Sequence, residues 1–252
     1  VNAVASALPR ARRGTWAFLG VARRTCHVHL LADVDATALV RARAEAPHLS
    51  YISFVAKAAA DAVAAHPQAG ALLLGGRLHP RLAVLDDIHV KILFDRTDDD
   101  GARCVMSGTV AAAQLLSVDE IQRRVDTYKN APLSDDGPFR AALRLQRLPA
   151  PAARLLYGLA LRDPKRRAQV QGTLSVTSVG HEPVRAVLPM ISGPLGFGVG
   201  RIAETAVVRD HALAVAPAFT LSLAFDHRVL DGALASQVLA QVKRRLETWE
   251  IP

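Results

Sequence analysis

The chain has 252 residues, 50% of them hydrophobic and 21% charged, which is enough to bury one full core and excludes a disordered or fibrous protein. Its net charge is +8, yet no nucleic-acid recognition motif or aromatic stacking platform accompanies the basic residues, so no nucleic-acid partner is expected. Cys26 and Cys104 are too few for a disulfide framework and sit in no metal-ligand spacing, and the apolar runs are broken by Lys57, Asp61 or arginines, so a cytoplasmic protein with no metal and no transmembrane helix is expected.

The first residue is Val rather than Met, which reads as the removal of something upstream. Residues 9–24 carry Arg10, Arg12, Arg13, Arg23 and Arg24 and no acid. Such a stretch reads either as the end of a transit peptide or as a basic surface arm packing on a neighbouring subunit. We therefore divide the chain into a basic N-terminal arm, 1–24, and a single domain, 25–252. Val28 to Val34 reads as a strand, Ala36 to Ala46 as a helix opened by Asp35, and Ser50 as the cap of a second helix running to about Ala65. His27 and His29 share one strand face, but with no third ligand in view they are not assigned a metal. Residues 88–95 and 103–110 read as a strand pair joined by the polar turn 98–101. Ser117 and Glu120 have capping-box spacing and Leu116 can staple onto Ile121, which predicts a helix running to about Tyr128.

From about 130 to 171 arginines interleave with Phe139, Leu143, Leu155 and Leu159, and Pro149 and Pro151 break the run into two short helices. This basic helical insert reads as a hairpin capping the domain with solvated arginines. It also suits an anionic membrane surface or an acidic partner such as a carrier domain. Thr177 alternates with Leu174 and Val176 and fits a strand. Gly198-x-Gly200 is too short for a nucleotide loop and marks close backbone packing. Leu221, Leu223 and Phe225 then alternate with Ser222, Ala224 and Asp226 as a strand with one strongly apolar face. Leu234, Val238, Val242 and Leu246 recur every four residues, with Lys243, Arg244 and Arg245 in the closing turns, as a helix. His227 stands at the corner between the two. Asp231 is placed both to cap that helix and to hold the corner.

His227-x-x-x-Asp231-Gly232 behind an apolar strand resembles the active-site signature of the acyltransferase (E2) component of 2-oxoacid dehydrogenase complexes, and more loosely that of chloramphenicol acetyltransferase. Gly172 to Gly180, followed by Gly198-Val199-Gly200-Arg201-Ile202, look like stretches of the same family in the same order. The family's Gly-x-Phe-Thr-Ile-Ser-Asn-Leu-Gly aligns Thr177 with the hydroxyl that steadies the tetrahedral intermediate. Val207 to Pro217 resembles the hairpin before the catalytic strand, with His211 where the family favours Gly; Val28 to Leu39 and Phe54 to Pro67 resemble its first strand and first two helices. The chain departs from the family at Gly70, in Gly101 to Met106, and in the length of the insert.

The resemblance implies an α/β, chloramphenicol-acetyltransferase-like fold, with a central mixed β-sheet flanked by helices, that forms a homotrimer or a higher assembly of trimers. It implies transfer of an acyl group between coenzyme A and a thiol of dihydrolipoyl type, or another acceptor. His227 would be the general base, Thr177 the oxyanion donor, and Asp231 would bias the imidazole, through Arg228. Coenzyme A enters as the acyl-CoA substrate. The lipoyl and small binding domains of the family are not in this sequence, which leaves the acceptor open: a lipoyl group on a separate protein, a carrier-protein thiol, or a hydroxyl or amine substrate would each suit the same base. Histidine and hydroxyl would meet across a subunit boundary, so a monomer should be inactive. The alternative is a catalytically silent E2-like scaffold or docking protein.

Overall fold

The computed structural model describes residues 7–75, 78–97, 101–209 and 211–250. The chain runs α1 (Arg10–Ala22), β1 (His27–Asp35), α2 (Thr37–Glu45), α3 (Tyr51–Ala65), β2 (Leu72–Leu74), β3 (Arg81–Ala83), β4 (Val90–Thr97) and β5 (Arg103–Val110). It continues through α4 (Val118–Asn130), α5 (Arg140–Arg147), α6 (Ala150–Ala160), α7 (Pro164–Gln171), β6 (Leu174–Ser178), β7 (Leu195–Val199), β8 (Ala203–Arg209), β9 (Ala212–Asp226) and α8 (Gly232–Glu247). Most of the polar turn expected between β4 and β5 lies outside the described residues. Among the described residues no helix is long and apolar enough to cross a membrane.

The main sheet is mixed, in the order β1-β9-β7-β6-β4-β5, with β8 also paired to β9. β6 runs parallel to β4 and β7, while β9 is antiparallel to β1, β7 and β8. β9 organises the sheet because its first half forms a hairpin with β8 and its second half is flanked by β1 and β7. Only this second half is buried on both faces. Leu221, Leu223 and Phe225 enter the main core with Phe54 of α3 and Val238 and Val242 of α8.

Local chemistry explains the helix starts. At α4 the capping box forms in full: the Glu120 N–H donates to Ser117 Oγ at 3.2 Å and the Ser117 N–H to the Glu120 carboxylate at 2.8 Å. Ser50 does precede α3, but its hydroxyl donates to Gln122 Oε1 at 2.8 Å, joining α3 to α4 rather than closing its own helix.

The insert holds three helices, not two. Pro149 ends α5, whereas Pro151 lies in the first turn of α6, where its missing N–H has no helical partner to lose. α7 opens with Pro164 behind Asp163, whose carboxylate accepts the Arg166 N–H at 2.7 Å. The basic segment folds back as α1 onto α5, α6 and β5 of its own chain rather than extending away from it. Ala11, Ala17 and Ala22 give it the small-residue face that allows this. Phe139, Cys104, Met106 and Ala11 close a second, smaller core on that side of the sheet.

Candidate active site

The end of β9 is fixed by its backbone. The His227 N–H donates to the Cys26 carbonyl at 2.9 Å and the Asp226 N–H to the Pro194 carbonyl at 3.0 Å, while the Asp226 carbonyl accepts from Val229 at 2.8 Å and turns the chain. The His227 side chain emerges at this turn, exposed, with its ring centroid 5.6 Å from that of Phe225.

Asp226 is the buried member of the corner. Its carboxylate takes Arg228 Nε at 2.8 Å and Nη2 at 2.6 Å, a two-pronged clamp, and the Arg228 N–H at 3.1 Å. Burial pushes the Asp226 carboxyl up, but the Arg228 hydrogen bonds and charge outweigh it and hold the group below its ordinary range. The link expected from Asp231 through Arg228 is not formed, because Arg228 is turned onto Asp226. Asp231 caps α8, accepting the Leu234 N–H at 2.8 Å.

Thr177 lies on β6 in register with Gly198 of β7, which in turn faces Ser222 of β9. His227 is five residues beyond Ser222. Two strand spacings across and five residues along put Thr177 and His227 roughly 19 Å apart within one protomer. One copy of the chain therefore does not bring them together.

Thr177 and Ser175 look instead into a pocket of about 260 Å³ between the sheet and the layer made by α1 and the insert helices. Its walls are mainly apolar, among them Phe18, Leu93, Met106 and Ile191. Lys91 of β4, in register with Ser175, enters the same space. Burial alone pulls its ammonium down to about 8, with no carboxylate to offset it. Tyr157 and Gln171 also face the pocket, and Tyr157 Oη and Gln171 Nε2 are buried without a hydrogen-bond partner. Burial raises the Tyr157 phenol and outweighs the downward pull of Gln171 and Ser192, which lie beside its oxygen outside strict hydrogen-bond geometry. Arg167 fixes the amide of Gln171 by donating Nε to its Oε1 at 2.9 Å and donates Nη2 to the Ser192 carbonyl at 3.1 Å.

His27 and His29 are stacked, centroids 6.2 Å apart, and both engage the backbone of the pocket wall. His27 Nε2 lies 3.0 Å from the Ile191 carbonyl and His29 Nε2 3.4 Å from that of Pro189. Sequence reasoning missed Asp226, Lys91, Tyr157, Gln171 and Arg167. Lys91 carries a readable signal, a lone lysine between Val90 and the apolar residues Ile92, Leu93 and Phe94.

Comparison with solved structures defines the fold. A probable dihydrolipoamide acetyltransferase from Listeria monocytogenes superimposes with a TM-score of 0.73 at 22% identity, covering 98% of this chain and 95% of that one. A chloramphenicol acetyltransferase does so with a TM-score of 0.53 at 12% identity, covering 95% and 96%. The chain thus has the chloramphenicol-acetyltransferase-like fold of E2 cores. Residues 160–251 match the family of 2-oxoacid dehydrogenases acyltransferase (catalytic domain), the stretch that holds both Thr177 and His227. The dihydrolipoyllysine-residue acetyltransferase component of the pyruvate dehydrogenase complex of Bacillus subtilis is 42% identical over 82 residues, 31% of this chain. The aligned stretch spans about a fifth, 19%, of that relative. The chain resembles the E2 catalytic domain in fold along its length and in sequence over its C-terminal part.

Proposed function

We propose that the chain is an acyltransferase moving an acyl group between coenzyme A and an acceptor, a thiol of dihydrolipoyl type by analogy with its relatives. The observation that carries this reading is the corner at 226–228: a buried carboxylate clamps its arginine and leaves His227 exposed at a rigid strand end, inside the stretch that matches the family. His227 takes the proton of the acceptor thiol as general base. The sulfur bonds to the thioester carbonyl carbon, and the Thr177 hydroxyl donates to the oxyanion that develops. Collapse breaks the bond to the coenzyme A sulfur, which leaves with the proton that His227 returns. Asp231 acts as a positioning residue, since its cap fixes the start of α8 and with it the loop that follows His227.

Because Thr177 and His227 are too far apart in one protomer, the working site joins Thr177 of one copy to His227 of the next, in a trimer or a larger assembly of trimers. Apolar side chains on the β8–β9 hairpin support such an assembly: Val208, Leu213 and Val215 are 71%, 83% and 73% exposed. Chemistry that depends on a free thiol suits a reducing cytoplasm. Coenzyme A release from acetyl-CoA plus dihydrolipoamide tests the reading. Wild type turns over, and His227→Ala loses about 10²–10⁴-fold in kcat, the usual range for a general base. Equal release by the two proteins would remove His227 from the chemistry.

A further inference from the structure

The pocket beside Thr177 combines apolar walls with three donors that the protein leaves unsatisfied. Lys91 is half-buried at the pocket wall, with no carboxylate partner and no hydrogen bond from its ammonium among the described residues; the ammonium stands 5.9 Å from the centre of the Phe18 ring. Tyr157 Oη and Gln171 Nε2 are buried and unpartnered. Buried polar groups are normally satisfied, and a buried charge is normally paired, because each orphan forfeits its hydration without return. Arg167 accentuates the arrangement: by occupying Gln171 Oε1 it leaves the amide nitrogen as the free end. Three donors, one of them cationic, in one apolar pocket specify an acceptor-rich anionic group on an apolar body.

We propose that this pocket binds a small molecule whose apolar chain ends in a carboxylate, with the carboxylate on Lys91, Tyr157 and Gln171 and the other end toward Thr177. Thr177 lies two residues along and one strand across from Lys91 in the parallel register, roughly 8 Å between backbones, which suits a chain of about five carbons. The role of this molecule rests on the acyl-transfer reading: it is a further acceptor beside the dihydrolipoyl thiol, a hydroxy, amino or mercapto acid. Its nucleophilic atom bonds to the acyl carbon as the bond from that carbon to the coenzyme A sulfur breaks. The proton of the nucleophile passes through His227 to that sulfur.

Calorimetric titration at pH 7 with hexanoate and with hexan-1-ol, which shares the chain but lacks the charge, tests the pocket without relying on activity. Wild type is expected to bind hexanoate at least tenfold more tightly than the alcohol. Lys91→Met, which keeps the volume and removes the charge, abolishes that preference, and Tyr157→Phe, which deletes one oxygen, narrows it severalfold; circular dichroism verifies that both variants fold. Equal affinity for the two probes in wild type, no hexanoate binding, or a preference unchanged in Lys91→Met overturns the proposal. A failure of the acyl-transfer reading shows differently, as absence of coenzyme A release in a protein that still prefers hexanoate.

Discussion

Asp226 and Arg228 set the precision of the corner that presents His227. The Asp226 side chain is 5% exposed and that of Arg228 39%, so the acid is committed to the interior while its partner is still partly hydrated. A charged hydrogen bond of this kind contributes about 1.5–3 kcal/mol, and screening at the Arg228 end argues for the lower part of that range. Because the folded pKa of Asp226 lies below its unfolded value of 3.8, the stabilisation is fully present above that value and fades as pH falls through the folded pKa. Asp226→Asn is therefore expected to lower the thermal midpoint at pH 7 by several degrees, about 2 kcal/mol. The gap from wild type should close in strongly acid solution. A gap of the same size at every pH would mean that shape, not charge, holds the corner. The sequence exposed His227 and Thr177 because each sits in a patterned stretch, but it hid Asp226. Alternation reads Asp226 as an outward polar residue, but residues 185–191 cross the outer face of β7 and Asp226 is buried.

That crossing also explains why β7 is glycine-rich. A Cβ on Gly198 would stand 2.2 Å from the Val187 carbonyl oxygen and one on Gly200 1.9 Å from that of Arg185. Both obstacles are backbone, so no rotamer change relieves them. Gly198→Ala must push residues 185–191 off the sheet, and with them Ile191, which His27 anchors and which lines the pocket beside Thr177. Overpacking of this kind costs about 1–3 kcal/mol, which for a chain of this length lowers the thermal midpoint by roughly 3–10 °C. A differential scanning measurement that finds no change would mean the segment at 185–191 is not held against β7. Elements of this kind were legible where their period was regular: β1, α3, α4 and α8 all lie close to their expected bounds, whereas β9 begins at Ala212, nine residues before the alternation at Leu221 that marked it. The insert was less so, because proline both breaks helices and begins them, and Pro151 and Pro164 do the second. The hairpin turn holds a similar lesson. His211 adopts φ +64°, the left-handed region that glycine takes without strain and that a histidine tolerates less well.

Assembly is where the chain is least readable from one copy. The roughly 19 Å between Thr177 and His227 follows from strand register and is too rigid a distance for side-chain motion to close. If the working site pairs Thr177 of one subunit with His227 of the next around a three-fold ring, two defective proteins can repair each other. Consider Thr177→Ala and His227→Ala co-expressed in equal amounts and assembled at random. Three quarters of the trimers are mixed, and around any mixed ring one of the three junctions joins an intact threonine to an intact histidine, so about a quarter of wild-type activity returns. Each parent alone retains only its residual rate, about 10²–10³-fold down for the lost oxyanion donor and 10²–10⁴-fold for the lost base. Light scattering on the same samples should give about three times the 26.9 kDa protomer mass or a multiple of it. Activity in the mixture no higher than the mean of the two parents would mean that each subunit works with its own residues. The strand register would then have to be wrong between β6 and β9, since nothing else in the protomer can bring that hydroxyl to that imidazole.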